Sequence, residues 1–407
     1  MKFENYGLNT FDDLLACYDP KKGYSLPSQK QRFFNFLEYV KNGLIVPGGL
    51  TIINGGRDIG KTTGTFYLWL LKFGDANHQV FFTRNSDKEI KAFGKTFNAQ
   101  FGNEFRFVGE TIWKMKPEIW VNKKTKEEET RFVKDQCVGF AGALGGIDGW
   151  RSANFENVRF VFVDEYNQIG NSLNAEKFLT LWTSILRTKQ NVFTVIIGNR
   201  DDVAADLLIE LGVRINIDNN LKGDYVVPLL PSDEYFKDKC FFIDLDDARF
   251  ENNAVPTVWK AIGRKTQVMG NYYDRGYKNY DNLDCIKLDS EQLNNVDWTD
   301  DLMVSFGGSS QHQLRFLLGQ LNGVLIVHYV GEEDNYETKA QWGDLISYKK
   351  SPGRTLIRSS YFYKKITHHL SDSTILYTSL TIKQIFNSWF NKIILDYQKT
   401  KEVVMLG

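Results

Sequence analysis

The 407-residue chain reads as a largely parallel α/β protein built on a phosphate-binding loop, and three observations carry that reading. Near-continuous apolar runs at Leu50 to Ile53, Val158 to Val163 and Val192 to Ile197 have the texture of strands covered on both faces. Helical patterns alternate with such runs through residue 200, as in βα units. Gly55-Gly56-Arg57-Asp58-Ile59-Gly60-Lys61-Thr62 fits G-x-x-x-x-G-K-[ST] between a strand and a helix.

Taken in order, QKQRFFNFLEYVKN at 29–42 sets Phe33, Phe36, Leu37 and Val40 at helical spacing, so a helix is expected there. Gly43 and Pro47-Gly48-Gly49 stop it. The strand at Leu50 and the glycine turn lead into a second helix from Lys61 to about Phe73. Gln79 to Thr83 predicts a strand, and Ser86 to Phe101 a helix. From Phe105 to Phe140 apolar and polar residues alternate around a KKTKEEE turn, which predicts a β-meander inserted in the α/β order. About Asn174 to Thr188 is expected to be helical. Beyond 230 the texture becomes polar and turn-rich. The expected division is therefore a nucleotide-handling domain at 1–230, a small linker domain at 231–292 and a mixed α/β domain at 293–407. Within the last, Asn322-Gly323 predicts a tight hairpin and Thr381 to Tyr397 a helix bearing Ile385, Trp389, Ile393 and Leu395.

Composition sets the bounds. Fifty Lys+Arg balance fifty Asp+Glu, which excludes a uniformly basic nucleic-acid binder. The charge is segregated: residues 1–200 hold 27 basic and 21 acidic groups, 201–301 hold 11 and 21, and 302–407 hold 12 and 8. Cys17, Cys137, Cys240 and Cys285 lie far apart with no metal-ligand spacing, as expected of free thiols in a reducing compartment. No apolar run approaches the ~20 residues of a membrane span, and the N-terminus lacks a signal-peptide pattern. A soluble intracellular protein is expected.

The loop explains its own residue types. Glycines let the backbone wrap around phosphate, and its N–H groups with the helix start form a positive cradle. Gly55, Gly56, Arg57, Asp58, Ile59, Gly60, Lys61, Thr62 and Thr63 are the expected ATP-binding residues. Lys61 should reach the β- and γ-phosphates and the Thr62 hydroxyl should hold Mg²⁺. The run Arg159-Phe-Val-Phe-Val163 ends in Asp164, expected to hold Mg²⁺ through water, and Glu165, expected to polarise the attacking water. That acid pair points to an ATPase with an added glutamate; a guanine-reading N-K-x-D is missing. Asn199, after Val195-Ile-Ile-Gly198, is placed to sense γ-phosphate. Arg57 could neutralise phosphate in cis, while Arg187, or alternatively Arg151, could serve a neighbouring subunit as an arginine finger.

Together, GGRxxGKT, the Arg of Phe82-Thr-Arg84-Asn after the second strand, FVFVDE and the following Gly-Asn resemble the terminase-like phage DNA-packaging ATPases of the small podophage type. Ile185-Leu-Arg187 is similar to that family's trans-acting arginine segment, and Ile243 to Arg249 through Gly270-Asn-Tyr-Tyr resembles its linker. The resemblance implies an ASCE ATPase domain, a linker and an RNase H-like C-terminal domain. It also implies a homopentameric ring on the portal of an empty capsid, pumping double-stranded DNA in the host cytoplasm, with packaging RNA as a further partner and absence from the mature virion. The strand at Leu302 ends in Gly-Gly-Ser-Ser where a nuclease of this fold would carry a metal-binding Asp, and no acid lies between Asp301 and Glu332. A nuclease-like fold without nuclease activity is expected.

For nucleic acid or a partner, Lys349, Lys350, Arg354, Arg358, Lys364 and Lys365 interleave with tyrosines and no acid, the most basic–aromatic stretch of the chain. Lys91, Lys95 and the Lys123-Lys124-x-Lys126 turn are secondary candidates. The rival classes are a P-loop helicase or plasmid-mobilisation ATPase, which must separate strands, and a nucleotide-gated portal clamp, which must not turn over.

Overall fold

In the computed structural model, the described residues are 3–27, 30–56, 59–121, 127–146, 150, 155–168, 171–187, 189–199, 205, 207–208, 211, 223–229, 233–246, 249–250, 286, 288–305, 313–330, 336–343, 355–356, 365–366, 368–369, 374–378, 382–383, 385–387 and 389–390. The chain forms two compact units, one of 1–201, 205–207 and 221–255, the other of the remainder.

The first unit opens with α1 (Phe11–Ala16) and α2 (Phe36–Lys41). Then come β1 (Leu50–Asn54), α3 (Leu68–Phe73), β2 (Gln79–Arg84) and α4 (Asp87–Phe101). The meander is β3 (Phe105–Val108), β4 (Thr111–Val121) and β5 (Glu128–Ala143). After it lie β6 (Val158–Asp164), the short pair β7 (Asn167–Gln168) and β8 (Asn171–Ser172), and α5 (Ala175–Leu186). The unit closes with β9 (Phe193–Gly198), β10 (Tyr225–Pro228) and β11 (Cys240–Asp244).

Nine strands form one sheet in the order β10-β11-β1-β9-β6-β2-β5-β4-β3. The pairs from β11 through β5 are parallel, and β10, β4 and β3 add antiparallel edges. β9 is interposed between β1 and β6, so the strand bearing the glycine loop and the strand ending in two acids are next-nearest neighbours. The sheet also corrects the expected linker boundary. Cys240–Asp244 lies beside β1 with Leu50 opposite Cys240, so the stretch assigned to the linker from 231 begins inside the first unit. Its run CFFID is buried throughout, which is what a strand covered on both faces requires.

The helical run behind the loop is fastened by aromatic packing. Its middle, Thr63–Tyr67, is wound as a π-helix before α3. Phe66 lies 5.0–6.0 Å from the rings of Phe82, Phe93, Phe97, Phe107 and Phe162. Trp69 stacks on Phe160 at 4.3 Å. Each such buried ring contributes about 1.5–3 kcal/mol over exposure.

The helix expected over 29–42 is shorter than its periodicity. Only Phe36–Lys41 is helical, with the Asn35 side chain accepting the Leu37 N–H as its cap. Residues 31–34 are instead bonded outward: Gln31 N–H donates to the Arg249 carbonyl, and Phe34 N–H to the Ile59 carbonyl. Arg249 itself is buried against Asp224, Glu38 and the Tyr39 hydroxyl, tying this segment to the end of β11.

The second unit contains α6 (Ser290–Asn294) and β12 (Asp297–Ser305), β13 (Gln313–Leu321), β14 (Val324–Val330), β15 (Ala340–Gly343), β16 (Thr355–Leu356) and β17 (Ile375–Tyr377). Their order is β16-β15-β12-β13-β14-β17. β12, β13 and β14 are antiparallel, while β15, β16 and β17 join in parallel. Asn322 and Gly323 both have positive φ, at 52° and 79°, as the expected hairpin demands. Leu302, Phe316, Leu318 and Val327 form its core with Ile385, Phe386 and Trp389; Ile393 and Leu395 lie outside the described residues.

Candidate nucleotide site

Parallel strands deliver their loops to one edge of a sheet, and ligands gather there. Registers of Asn54 opposite Gly198 and Asp164 opposite Ile197 bring the ends of β1, β9 and β6 together at that edge. The glycine loop leaves β1 at Asn54. Gly60 has φ +84°, and a Cβ there would stand 3.3 Å from the Phe33 side chain. Arg57 and Asp58 lie outside the described residues.

Lys61 is 6% exposed, and its Nζ donates to the carbonyls of Gly55 (2.9 Å) and Gly56 (2.6 Å) and to Asn199 Oδ1 (3.2 Å). The loop thus holds its ammonium in place through its own carbonyl groups. Thr62 Oγ1 donates to Asp164 Oδ1 at 3.2 Å, bringing the two expected metal-holding residues, 102 positions apart in sequence, into contact. A hydroxyl and a carboxylate are hard oxygen donors, and such a pair, completed by phosphate and water oxygens, suits Mg²⁺.

Glu165 adopts φ +57°, an uncommon region for a residue with a side chain. The next two residues account for it. Tyr166, fully buried, donates its hydroxyl to Asn54 Oδ1 at 2.8 Å, and Asn167 donates to the Asn199 carbonyl. Both cross over Gly198, where a Cβ would meet Asn167 Oδ1 at 2.3 Å and Tyr166 Cε1 at 2.5 Å. Only a glycine admits that crossing, which turns the Glu165 carboxylate back toward the site.

Arg84, at the end of β2, bridges both acids. One terminal nitrogen pairs with Asp164, the other with Glu165 Oε2 at 2.9 Å, and the guanidinium lies 4.9 Å from the Phe93 ring centroid. Its place in the resemblance was plain in the sequence, but its contact with the acids was not, because 80 residues separate it from Asp164.

Arg187 does not join this group. It caps α5 with φ +41° and is exposed. The chain following it, at Gln190 and Val192, lies against Gly48, which precedes β1. Arg187 therefore sits at the strand-start edge, a strand length of roughly 15 Å from its own loop. Arg159 and Lys189 are on that edge too, where Lys189 donates to the Phe155 carbonyl. Burial, with the Arg159 and Arg187 charges, brings the Lys189 ammonium down to about 8.

Of the basic–aromatic candidates, Lys349, Lys350, Arg354, Arg358 and Lys364 lie outside the described residues, as do Arg151 and the Lys123 turn. Lys365 turns inward: its ammonium pairs with Asp300 and donates to Thr299 Oγ1 at 3.0 Å, leaving its side chain 15% exposed. Asp301, on the opposite face of β12, is held by Arg315 at 3.0 Å. Lys91 and Lys95 are exposed on α4.

Fold and site together place the chain among the α/β proteins that gather a polar site at the carboxyl ends of a wide, mostly parallel sheet. No family model and no curated protein matches it. Among solved structures, the chain is similar to the viral genome packaging motor assembly of bacteriophage Phi-29, at 15% identity over 89% of this chain and 99% of that one, with a TM-score of 0.49. The Phi-28 gp11 DNA packaging motor matches at 15% identity over 87% and 96%, TM-score 0.41. A large terminase from a thermophilic bacteriophage, solved with ADP, matches at 12% identity over 85% and 86%, TM-score 0.30. At these values function has to be read from the site.

Proposed function

We propose that the chain is an ATPase whose hydrolysis drives double-stranded DNA into a preformed viral capsid. The observation that carries the ATPase reading is the meeting of Lys61, Thr62, Asp164, Glu165 and Asn199 at one sheet edge, with β9 interposed between β1 and β6. That strand order supports the ASCE class, in which a glutamate follows the metal-holding Asp.

Lys61 would turn from the loop carbonyls to the β- and γ-phosphates of ATP, and the loop N–H groups would take the remaining oxygens. Thr62 and Asp164 would hold Mg²⁺, which supplies charge neutralisation between the phosphates. Glu165 would accept a proton from the attacking water, and release of its carboxylate by Arg84 would raise its basicity for that step. Asn199 accepts from Lys61, which supports the reading of Asn199 as a γ-phosphate sensor. Arg187 lies too far to serve its own site, which supports a ring in which it completes a neighbour's; five subunits, a portal and a packaging RNA are the partners we infer from the resemblance, with assembly on the procapsid in the host cytoplasm. The antiparallel β12–β14 with parallel β15 and β16 support an RNase H-like second unit, and the pairing of Asp300 with Lys365 and Asp301 with Arg315 supports its lack of nuclease activity.

ATP-dependent protection of DNA by matched empty capsids tests the motor, and Glu165→Gln tests the site. The variant should bind ATP as before while turnover falls by about 10²–10⁴. Unchanged turnover would remove Glu165 from its role, and strand separation on a forked duplex would favour a helicase.

A further inference from the structure

The first unit carries a second basic concavity, independent of the phosphate loop. A recess of about 450 Å³ lies between the turn after α1, the end of α2 and the start of β11, with Tyr18, Lys21, Lys22, Tyr24, Lys41 and Phe241 on its walls. It opens at the strand-start edge, since Phe241 pairs with Thr51 near the start of β1 while the loop leaves β1 at its other end.

Its construction is specific. Asp19 Oδ1 accepts the Lys21 N–H at 2.9 Å and its carbonyl accepts the Lys22 N–H at 3.1 Å, which fixes the turn presenting the two lysines. Gly23 and Gly43 have φ of +68° and +72°, and a Cβ on Gly43 would stand 3.0 Å from the Gly23 carbonyl oxygen, so the two backbones close the rim. Ser25 seals it with bonds from its hydroxyl (2.6 Å) and its N–H (3.0 Å) to Asn42. The Tyr24 ring stands on Phe241 at 5.1 Å and 69° yet stays 40% exposed. Lys41 lies 5.8 Å from the Tyr6 ring centroid. None of Lys21, Lys22 and Lys41 has an acid within ion-pair distance among the described residues, although Asp19 and Asp238 also line the recess. Burial pushes the Cys17 thiol up, against the Lys41 and Lys22 ammoniums and with the Asp13 carboxylate.

Three lysines against two acids around a recess lined with aromatic rings suit a ligand that is anionic at one end and flat at the other. The volume is within the range of small-ligand sites and too small for a duplex. We propose that this recess binds one nucleotide unit, its phosphate on Lys21, Lys22 and Lys41 and its base on the exposed ring of Tyr24. The same chemistry comes from a free mononucleotide or from an unpaired nucleotide within a nucleic-acid strand.

The experiment uses full-length Lys61→Ala protein, in which the phosphate loop is disabled, and fluorescence anisotropy of a short labelled single-stranded oligonucleotide with AMP as competitor. Combined Lys21→Ala, Lys22→Ala and Lys41→Ala should weaken binding at least about ten-fold and flatten its salt dependence by roughly 0.7, as loss of one single-strand phosphate contact does. Tyr24→Ala should weaken it about five-fold or more, as loss of one stacked base does. Arginine at the three lysine positions should retain binding, which separates charge from packing. Displacement by AMP identifies the free nucleotide as sufficient; loss in the variants without displacement by AMP assigns the strand. Binding unchanged in the triple variant would overturn the proposal. So would equal, lysine-dependent capture of a poly-glutamate peptide, which would make the recess a generic acidic-segment dock.

Discussion

Arg84 shows at the level of one side chain how the site is held without substrate. Its guanidinium balances Asp164, 2% exposed, and Glu165 together. Removing one partner of a buried pair leaves the other charge uncompensated, at a cost of about 3–5 kcal/mol. Arg84→Ala should therefore lower the melting temperature of the free protein. Mg²⁺ and ATP should recover more of that loss than they add to the wild type, because Asp164 then has a metal to face. Differential scanning fluorimetry with and without Mg·ATP separates the two, and an equal loss in both states would mean that Arg84 never leaves the acids. Arg84→Lys should fall between, since one ammonium cannot fork to two carboxylates. Lys189 gives a pH signature on the other edge. Its folded value of about 8 lies below its ordinary 10.5, so between those pH values the unfolded chain binds more protons than the folded one. Stability should thus gain from a pH rise across that window and lose nothing further below about 8. Lys189→Met should flatten the rise in melting temperature from pH 8 to 10.5; an unaltered slope would place the titration elsewhere.

Among the elements, the helix behind the phosphate loop depends on backbone contact as much as on its apolar face. A Cβ on Gly64 would fall 1.8 Å from the Phe34 carbonyl oxygen, so residues 31–35 cross that helix with no room for a side chain. Gly64→Ala must push this strand of backbone away and should cost roughly 1–3 kcal/mol, as overpacking does. Gly146, where a Cβ meets nothing within 4 Å, supplies the control: Gly146→Ala should stay within about 0.5 kcal/mol. Chemical denaturation reads both, and a neutral Gly64→Ala would contradict the close crossing. The same contact explains why periodicity overstated the first long helix. Phe33 has helical spacing, yet Gln31 and Phe34 spend their N–H groups on Arg249 and Ile59, partners invisible to a local pattern. The strands at Leu50, Val158 and Val192 were legible because burial on both faces writes a continuous apolar run. Cys240–Asp244 carries the same signature in CFFID, but its place beside β1 is a long-range fact and its polar flanks suggested a linker. Likewise Lys61, Thr62, Asp164 and Glu165 announced themselves by motif, whereas Tyr166, Asn167 and the buried Glu38–Asp224–Arg249 group act through tertiary contacts that no spacing encodes.

For the whole molecule, the zero net charge is a sum of a basic first half, an acidic middle and a basic end, so the balance hides charge segregated along the chain. The proposed ring is testable through the two edges of the large sheet. Lys61 lies at the strand-end edge and Arg187 at the strand-start edge, so one subunit cannot bring both to one phosphate chain. A head-to-tail ring solves this, because each contact then joins unlike edges of successive copies. In such a ring a site works when its owner keeps Lys61 and its neighbour keeps Arg187. Lys61→Ala and Arg187→Ala proteins should each be inactive alone. Mixed in equal amounts, about a quarter of the sites in a randomly assembled head-to-tail ring should pair an intact Lys61 with an intact Arg187. Steady-state ATP turnover of the mixture, measured under conditions where light scattering shows assembly, should accordingly recover to the order of that fraction. If Arg187 served its own site, every subunit in the mixture would still carry one lesion and turnover would stay at background. If Arg187 served no site, its variant alone would turn over like the wild type. The three outcomes differ in the single mutants and in the mixture, so the placement of one exposed arginine at the far end of its own sheet tests whether the proposed ATPase works as a ring.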